Sequence, residues 1–175
     1  MSIDLVRVDE RLIHGQVVVG WGERLRPQRY VVADDELAGS AWEQELYALA
    51  APPDAEVAFV PVSEARARLA EWRADDRVTF VLLRSVEALC ALAEGGGLDG
   101  LTVNLGGLHA GEGRREHLPY LHLSPRDEAA LDALAAAGVG LEARDLPTSR
   151  GVPWREPTPD AGAGAPPPPR GGDGA

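Results

Sequence analysis

The chain has 175 residues, a net charge of −11 at pH 7 and a single cysteine. Its length fits one domain, its acidity disfavours non-specific binding to nucleic acids or anionic lipids, and one cysteine excludes an intrachain disulfide or a multi-cysteine metal site. All 17 Lys+Arg residues are arginine, which excludes P-loop, protein-kinase and Schiff-base chemistries because these need a lysine. Charges interrupt every apolar stretch, so we expect a cytoplasmic protein without a signal peptide or membrane span.

Apolar, strand-like runs alternate with helix-like segments along the chain. Strands are predicted at Ile3–Val8, 30–33, Glu56–Val60, 78–83, 101–104, 120–123 and 139–143. Helices are predicted at 15–25, 38–51, from an N-cap at Ser63 to about residue 74, at 85–94, and from the capping sequence at 124–127 to Gly138. This alternation predicts an α/β fold, an open, mostly parallel twisted sheet of about six to seven strands with helices on both faces.

The composition changes after Trp154. Residues 155–175 contain six prolines and five glycines. Such a segment cannot bury enough apolar surface to offset the entropy of ordering its backbone. We therefore predict a globular domain over residues 1–154 and a disordered Pro/Gly-rich tail over residues 155–175.

The loop after the first predicted strand combines an acid, an arginine and a histidine. Asp9, Arg11 and His14 lie within six residues, and Gly15 opens the next predicted helix. In α/β folds ligands bind at the carboxyl ends of strands, and a helix N-terminus favours an anion. Asp9 can hydrogen-bond one imidazole nitrogen and leave the other as a lone pair, while Arg11 can pair with a phosphate. These residues are equally compatible with an ordinary loop that contains a capping aspartate and a surface arginine.

Longer motifs decide between these interpretations. Residues 6–17 read VRVDERLIHGQV and residues 102–109 read TVNLGGLH. Together with 118–124 and 142–147, these segments resemble, in order, the IIB component of the mannose/fructose/sorbose family of the bacterial sugar phosphotransferase system. The resemblance covers residues 2–150, and the DxRLIHGQ string at 9–16 is its most specific part.

The resemblance implies a phosphocarrier whose His14 accepts a phosphoryl group, on Nδ1, from a phosphohistidine of a IIA protein. His14 would pass it to a sugar carried by the membrane components IIC and IID, which is the activity of a protein-phosphohistidine–sugar phosphotransferase. In this interpretation Asp9 orients His14, and Arg11 neutralises the phosphate. Further phosphate-binding residues are expected at Gly15, Gln16, Arg84, Gly106 and Gly107.

The same resemblance implies IIA and the IIC/IID permease as partners, with peripheral association at the membrane. It implies no metal, cofactor or nucleic acid, and it leaves a homodimer open. Glu10 stands where the family usually has Asp or Ser, and Asp34-Asp35 stands where Asn-Asp is common. Arg84 takes the place of a frequent lysine and is expected to provide a second phosphate or partner contact.

Other features receive plainer interpretations. His109, His117 and His122 do not have the spacing of standard metal ligands, so they are expected to be surface histidines. His109 follows Gly106-Gly107, which places it near the predicted His14 loop. Simple turn chemistry remains an alternative role for the two glycines.

Two other classes of function stay open. A regulatory module of an incomplete phosphotransferase system would use the phosphorylation state of His14 to control a partner, and the absence of neighbouring permease genes would favour it. A binding protein would hold a phosphorylated metabolite in the same loop without turnover. Saturable binding of a phosphosugar without covalent phosphate would favour that function.

Overall fold

The computed structural model describes residues 3–155, so the predicted tail lies, apart from Arg155, outside the described residues. The strands are β1 Ile3–Val8, β2 Arg29–Ala33, β3 Glu56–Val60, β4 Thr79–Leu83, β5 Thr102–Leu105, β6 Arg115–Leu118, β7 Leu121–Leu123, β8 Gly140–Ala143 and β9 Val152–Pro153. Helix α1 consists of a π-helical segment, Gln16–Trp21, and an α-helical turn, Gly22–Leu25. The other helices are α2 Asp35–Ala38, α3 Ala41–Ala50, α4 Val62–Ala74, α5 Val86–Ala93 and α6 Pro125–Ala136.

Seven strands form one open sheet in the order β3-β2-β4-β1-β5-β8-β9. Every pair from β3 to β8 is parallel, and the short β9 runs antiparallel to β8. The predicted open, mostly parallel sheet is therefore confirmed. The central strands are buried along their whole length, which explains their continuous apolar sequences.

The two faces of the sheet carry separate cores. Val31 and Val81 belong to the cluster that includes Leu69 of α4 and Leu89 of α5, whereas their neighbours in sequence point to the other cluster with Leu12 and Trp21. Because successive strand residues face opposite sides, the two clusters lie on opposite faces. The predicted covering of both faces by helices is confirmed.

Three local details differ from the predictions. The strand predicted at 120–123 is present as β7, but it pairs with β6 in a separate antiparallel hairpin and does not enter the main sheet. Ser63 is not the N-cap of α4, which begins at Val62 after Pro61. The carboxylate of Asp35 accepts the backbone N–H of Val62 at 2.8 Å, so an acceptor from the start of α2 replaces the expected serine cap. The helix predicted at 38–51 is present as α3, Ala41–Ala50, and Gly39 and Ser40 separate it from the short α2 that precedes it.

The topology opens a crevice at the carboxyl ends of β1 and β5. These strands are neighbours, but β1 continues through α1 to β2 on one side, and β5 continues to β8 on the other. The two loops therefore diverge, which is the arrangement that gives open α/β sheets their ligand sites. Within residues 3–155, no helix has both the length and the apolar character needed to cross a membrane.

Candidate functional site

The loop from Asp9 to His14 is a tight turn held by buried side chains. Leu12 has a φ of 52°, a left-handed conformation that costs a leucine about 1–2 kcal/mol. Its side chain is completely buried, and its N–H donates to the carbonyl of Asp9 at 3.0 Å. The packed side chain therefore keeps the turn in place and directs the Leu12 carbonyl at His14.

Hydrogen-bond acceptors surround the ring of His14. Nδ1 lies 3.0 Å from the carbonyl oxygen of Leu12, and Nε2 lies 3.5 Å from Oε1 of Gln16. Nε2 is also 3.8 Å from Oδ2 of Asp9, which is proximity rather than a hydrogen bond. The His14 side chain is 16% exposed, so the ring is held at the surface of the crevice.

Asp9 is the buried centre of the loop. Its Oδ1 accepts the backbone N–H of Arg11 at 3.1 Å, and its Oδ2 accepts that of Gly107 at 3.0 Å. Burial raises the pKa of Asp9, but the charge of Arg7 and these hydrogen bonds outweigh it, so the pKa lies below its usual value. Asp9 therefore stays ionised and joins the loops that follow β1 and β5.

Arg7 is a site residue that the sequence analysis missed. It is completely buried, and it donates to Asp9 at 2.8 Å, to Asn104 and to the carbonyl of Arg144 at 2.9 Å. Burial lowers the pKa of its guanidinium, and Asp9 opposes that effect. A charged residue at an inward position of an apolar strand was the available signal, because such a residue is rare without a paired partner.

Arg11 and Gln16 complete the contacts around His14. Arg11 donates through NH2 to Oε1 of Gln16 at 2.7 Å and through Nε to Asp9 at 3.4 Å. Its side chain is 40% exposed, so the guanidinium can leave these partners for an incoming anion. The structure thus brings together four residues that the sequence predicted: Asp9, Arg11, His14 and Gln16.

The predicted glycines have different surroundings. A Cβ on Gly106 would overlap the Arg7 guanidinium, so this glycine makes room for the buried arginine. A Cβ on Gly107 would lie 3.0 Å from the Arg11 guanidinium, and one on Gly15 would meet no atom within 4 Å. Gly107 therefore lies in the site, Gly15 has open space in front of it, and the phosphate-binding roles of all three remain predictions.

Arg84 is engaged elsewhere along the same edge. Its Nε donates to Oδ2 of Asp34 at 2.7 Å. The pocket around it is lined by the carboxylates Asp34, Asp35, Glu36 and Glu87 and does not include His14. A phosphate contact from Arg84 therefore requires this ion pair to open, and that contact stays a prediction.

Glu10 connects the loop after β1 to the loop after β5. Its carboxylate accepts from Nδ1 of His109 at 2.7 Å and from Arg114. Burial raises the pKa of Glu10, but the hydrogen bonds from Arg114 and His109 dominate and lower it. His109 thus lies near the His14 loop, where the sequence placed it.

An open pocket of about 510 Å³ lies between these loops, and we call it the His109 pocket. It is lined by Arg11, Gln16, Gly107, His109, Ala110, Pro119, Tyr120 and His122. His117 lies outside it and contacts Glu128 at 3.0 Å. Among residues 3–155, no three His, Cys, Asp or Glu side chains are grouped so that they could hold a metal ion.

Known proteins are similar to this chain in both sequence and fold. The sequence model described as "PTS system sorbose subfamily IIB component" matches residues 3–160. The chain is 30% identical over 144 residues to the PTS system sorbose-specific EIIB component of Klebsiella pneumoniae, covering 82% of this chain and 87% of that protein. It is 31% identical over 149 residues to the PTS system mannose-specific EIIAB component of Escherichia coli strain K12, covering 85% of this chain and 46% of that protein.

The crystal structure of the IIBSor domain of the sorbose permease from Klebsiella pneumoniae is similar throughout. Its TM-score is 0.77 at 29% identity, and the similarity covers 87% of this chain and 93% of that domain. Sequence and structure therefore agree over the part of the chain that contains the His14 loop, the Gly106-Gly107 loop and the sheet between them. The chain belongs to the sorbose subfamily of IIB components, within the mannose/fructose/sorbose branch of the bacterial sugar phosphotransferase system.

Proposed function

We propose that His14 carries a phosphoryl group from a IIA protein to a sugar bound by the IIC/IID permease. IIB components act as phosphotransferases in sugar phosphorylation. The observation that carries the proposal is the placement of His14 at the crevice between β1 and β5, with Asp9, Arg11 and Gln16 around its ring. The EIIAB name of the Escherichia coli relative supports a IIA partner.

The transfer needs little covalent assistance. The P–N bond of the donor phosphohistidine breaks, its ring nitrogen keeps the electron pair, and a new P–N bond forms with a lone pair of His14. Each ring retains its own N–H on the other nitrogen, so no proton has to move between the two proteins. The chain's role is to position His14 and to stabilise the phosphoryl charge through Arg11.

The charges around His14 favour Nδ1 as the phosphorylated nitrogen. A phosphoryl group on Nε2 would lie against the ionised carboxylate of Asp9, which is 3.8 Å from that nitrogen, and against Oε1 of Gln16. An Nε2–H is stabilised at this position because both neighbours are acceptors. Transfer to Nδ1 requires the tautomer with the proton on Nε2, and Nδ1 then loses its 3.0 Å contact with the Leu12 carbonyl, in which it is the donor.

Phosphoryl transfer from phosphoenolpyruvate through the general phosphotransferase proteins and a cognate IIA tests this function. We expect an acid-labile, base-stable phosphoprotein that His14→Ala abolishes. Arg11→Ala should lower the transfer rate by about tenfold or more, because it removes a charged contact to the phosphoryl group.

Arg126→Ala provides the matched control. Arg126 is 83% exposed and pairs only loosely with Glu87, at 3.5 Å, so its loss should leave the rate unchanged. Continued labelling of His14→Ala would disprove the assignment of the phosphorylated residue. Equal rates for the two arginine variants would remove Arg11 from the site.

The same assay can identify the sugar and test the role of the permease. The relatives are named for sorbose and for mannose, so the phosphorylated chain should be mixed with membranes that contain a IIC/IID pair and with each sugar in turn. We expect loss of the phosphoryl group from the chain and formation of a sugar phosphate. This action would place the chain at the cytoplasmic face of the permease.

A further inference from the structure

The charge of the His109 pocket sets it apart from its surroundings. The chain has a net charge of −11, yet no carboxylate is among the residues that line this pocket. Its side chains that carry or can acquire positive charge are Arg11, His109 and His122. The pocket around Arg84, at the same edge of the sheet, is lined by four carboxylates. Carboxylates lie behind all three of these side chains, Asp9 at Arg11, Glu10 at His109 and Glu116 at His122, but none lines the pocket, so an anion is favoured in the first pocket over the second.

The His109 pocket borders residues that surround His14, although His14 itself does not line it. Gln16 lines the pocket, and its Oε1 is 3.5 Å from Nε2 of His14 and 2.7 Å from Arg11, which lines the pocket as well. Gly107 lines the pocket too, and its N–H donates to Asp9. A group in the pocket therefore contacts side chains that belong to the His14 loop.

His109 is oriented for this role by a carboxylate. Its Nδ1 is 2.7 Å from Oε2 of Glu10, and its backbone N–H donates to the same oxygen at 3.2 Å. Arg114 holds the other oxygen of Glu10 and also donates to the carbonyl of His109 at 2.9 Å. With Nδ1–H fixed on Glu10, the ring is positioned, and Nε2 donates to an anionic ligand when it too carries a proton, in the imidazolium form. The side chain is 57% exposed, so a ligand can reach it.

We propose that the His109 pocket receives the phosphorylated histidine of the donor protein, and that His109, positioned by Glu10, binds its phosphoryl group beside Arg11. This inference rests on the proposed function. The phosphoryl charge is present on the donor before transfer as well as during it. The contact therefore strengthens binding of the donor and lowers KM, with little effect on kcat.

Titration of the phosphorylated IIA donor against the full chain tests the proposal. His109→Gln keeps a hydrogen-bond donor that cannot carry a charge, and His109→Arg puts a permanent charge at the same place. We expect His109→Gln to raise KM for the donor about tenfold with kcat within about twofold, and His109→Arg to recover most of the loss. Circular dichroism checks that both variants keep the fold, as expected for an exposed side chain.

Arg126→Gln is the control because Arg126 is an exposed cation that lies outside the pocket. Its KM should equal that of the wild-type chain. Equal KM values for wild type and His109→Gln, equal values for the Gln and Arg variants, or a loss confined to kcat would each overturn the proposal. A wild-type chain that accepts no phosphoryl group would instead overturn the proposed function, so the two failures are distinguishable.

Discussion

At the scale of residues, a buried ion pair holds the site. Arg7 and Asp9 lie two residues apart on the same side of β1 and its extension, and both are essentially inaccessible to solvent. Asp9 then binds two backbone N–H groups from different loops. The geometry of the His14 loop therefore depends on the charge of Arg7, a buried residue that does not contact the proposed phosphoryl group.

Replacing Arg7 by Ala tests that dependence. The change removes the buried charge partner of Asp9, which keeps only the longer contact with Arg11 at 3.4 Å, and it removes the donor to Oδ1 of Asn104. Loss of one member of a buried pair costs about 3–5 kcal/mol, so we expect a fall of this size in the free energy of unfolding, measured by urea denaturation. Arg126→Ala, at an exposed pair, should change it by less than about 0.5 kcal/mol. Similar small effects for both variants would contradict a structural role for the buried pair.

At the scale of elements, the residue that opens α1 faces open space instead of packing against another part of the chain. Gly15 has helical dihedral angles, with φ −52° and ψ −43°, and nothing lies within 4 Å of where its Cβ would be. The fold therefore does not require glycine at this position. A requirement for glycine would have to come from a group that approaches from outside.

The Gly15→Ala variant separates the requirements of the fold from those of a group that approaches from outside. We expect stability within about 0.5 kcal/mol of wild type but at least about tenfold slower phosphorylation of His14, because a methyl group displaces the phosphoryl group or its donor. Gly39→Ala is the control: its Cβ would make only an ordinary contact, 3.6 Å from the carbonyl oxygen of Glu36. Unchanged kinetics for Gly15→Ala would show that the phosphoryl group does not approach this residue.

The β6–β7 hairpin is attached to α6 by a charged contact. Glu128 accepts from Arg115 at 2.7 and 2.5 Å and from His117 at 3.0 Å. The hydrogen bonds from Arg115 and then His117 lower the pKa of Glu128 to about 2. Because the folded-state pKa is depressed, this stabilisation is present above the unfolded-state pKa of about 4.3 and is lost as the pH falls toward 2.

Melting temperatures of wild type and Glu128→Gln, compared across pH, test this contact. The wild-type chain should melt higher near pH 6, and the difference should shrink between about pH 4 and pH 2. Glu87→Gln, at a 77% exposed residue, should show no comparable pH-dependent difference. A constant offset for Glu128→Gln at all pH values would mean that packing, and not the charged contact, attaches the hairpin.

At the scale of the whole molecule, the sequence predicted the features that depend on residues close together along the chain. The alternation of apolar strands and helices predicted the parallel sheet, and the sequence from Asp9 to Gln16 predicted the residues gathered around His14. Contacts between distant positions were not visible in the same way. Arg7 finds Asn104 and the Arg144 carbonyl 97 and 137 residues away, and only the strand order of the sheet brings them together.

The dependence on contacts between distant positions also explains where the structure differs from the predictions. The charged strand β6 has no apolar pattern of its own, and it becomes a strand because β7 pairs with it. Ser63 was a plausible cap, but the competing acceptor is Asp35, at the start of α2 and distant in sequence. The role of Gly106 depends on the buried Arg7 side chain beside it, which a turn pattern does not reveal.

The proposed function depends on one chemical event, the phosphorylation of His14. Mass spectrometry of peptides from the intact chain, after phosphoryl transfer from phosphoenolpyruvate through a cognate IIA and under conditions that preserve phosphohistidine, locates that event directly. We predict a single phosphoryl group on the peptide that contains His14, and none on the peptides that contain His109, His117 or His122. A phosphoryl group on another residue, or none on a chain that is folded and supplied with a phosphorylated donor, would contradict the account.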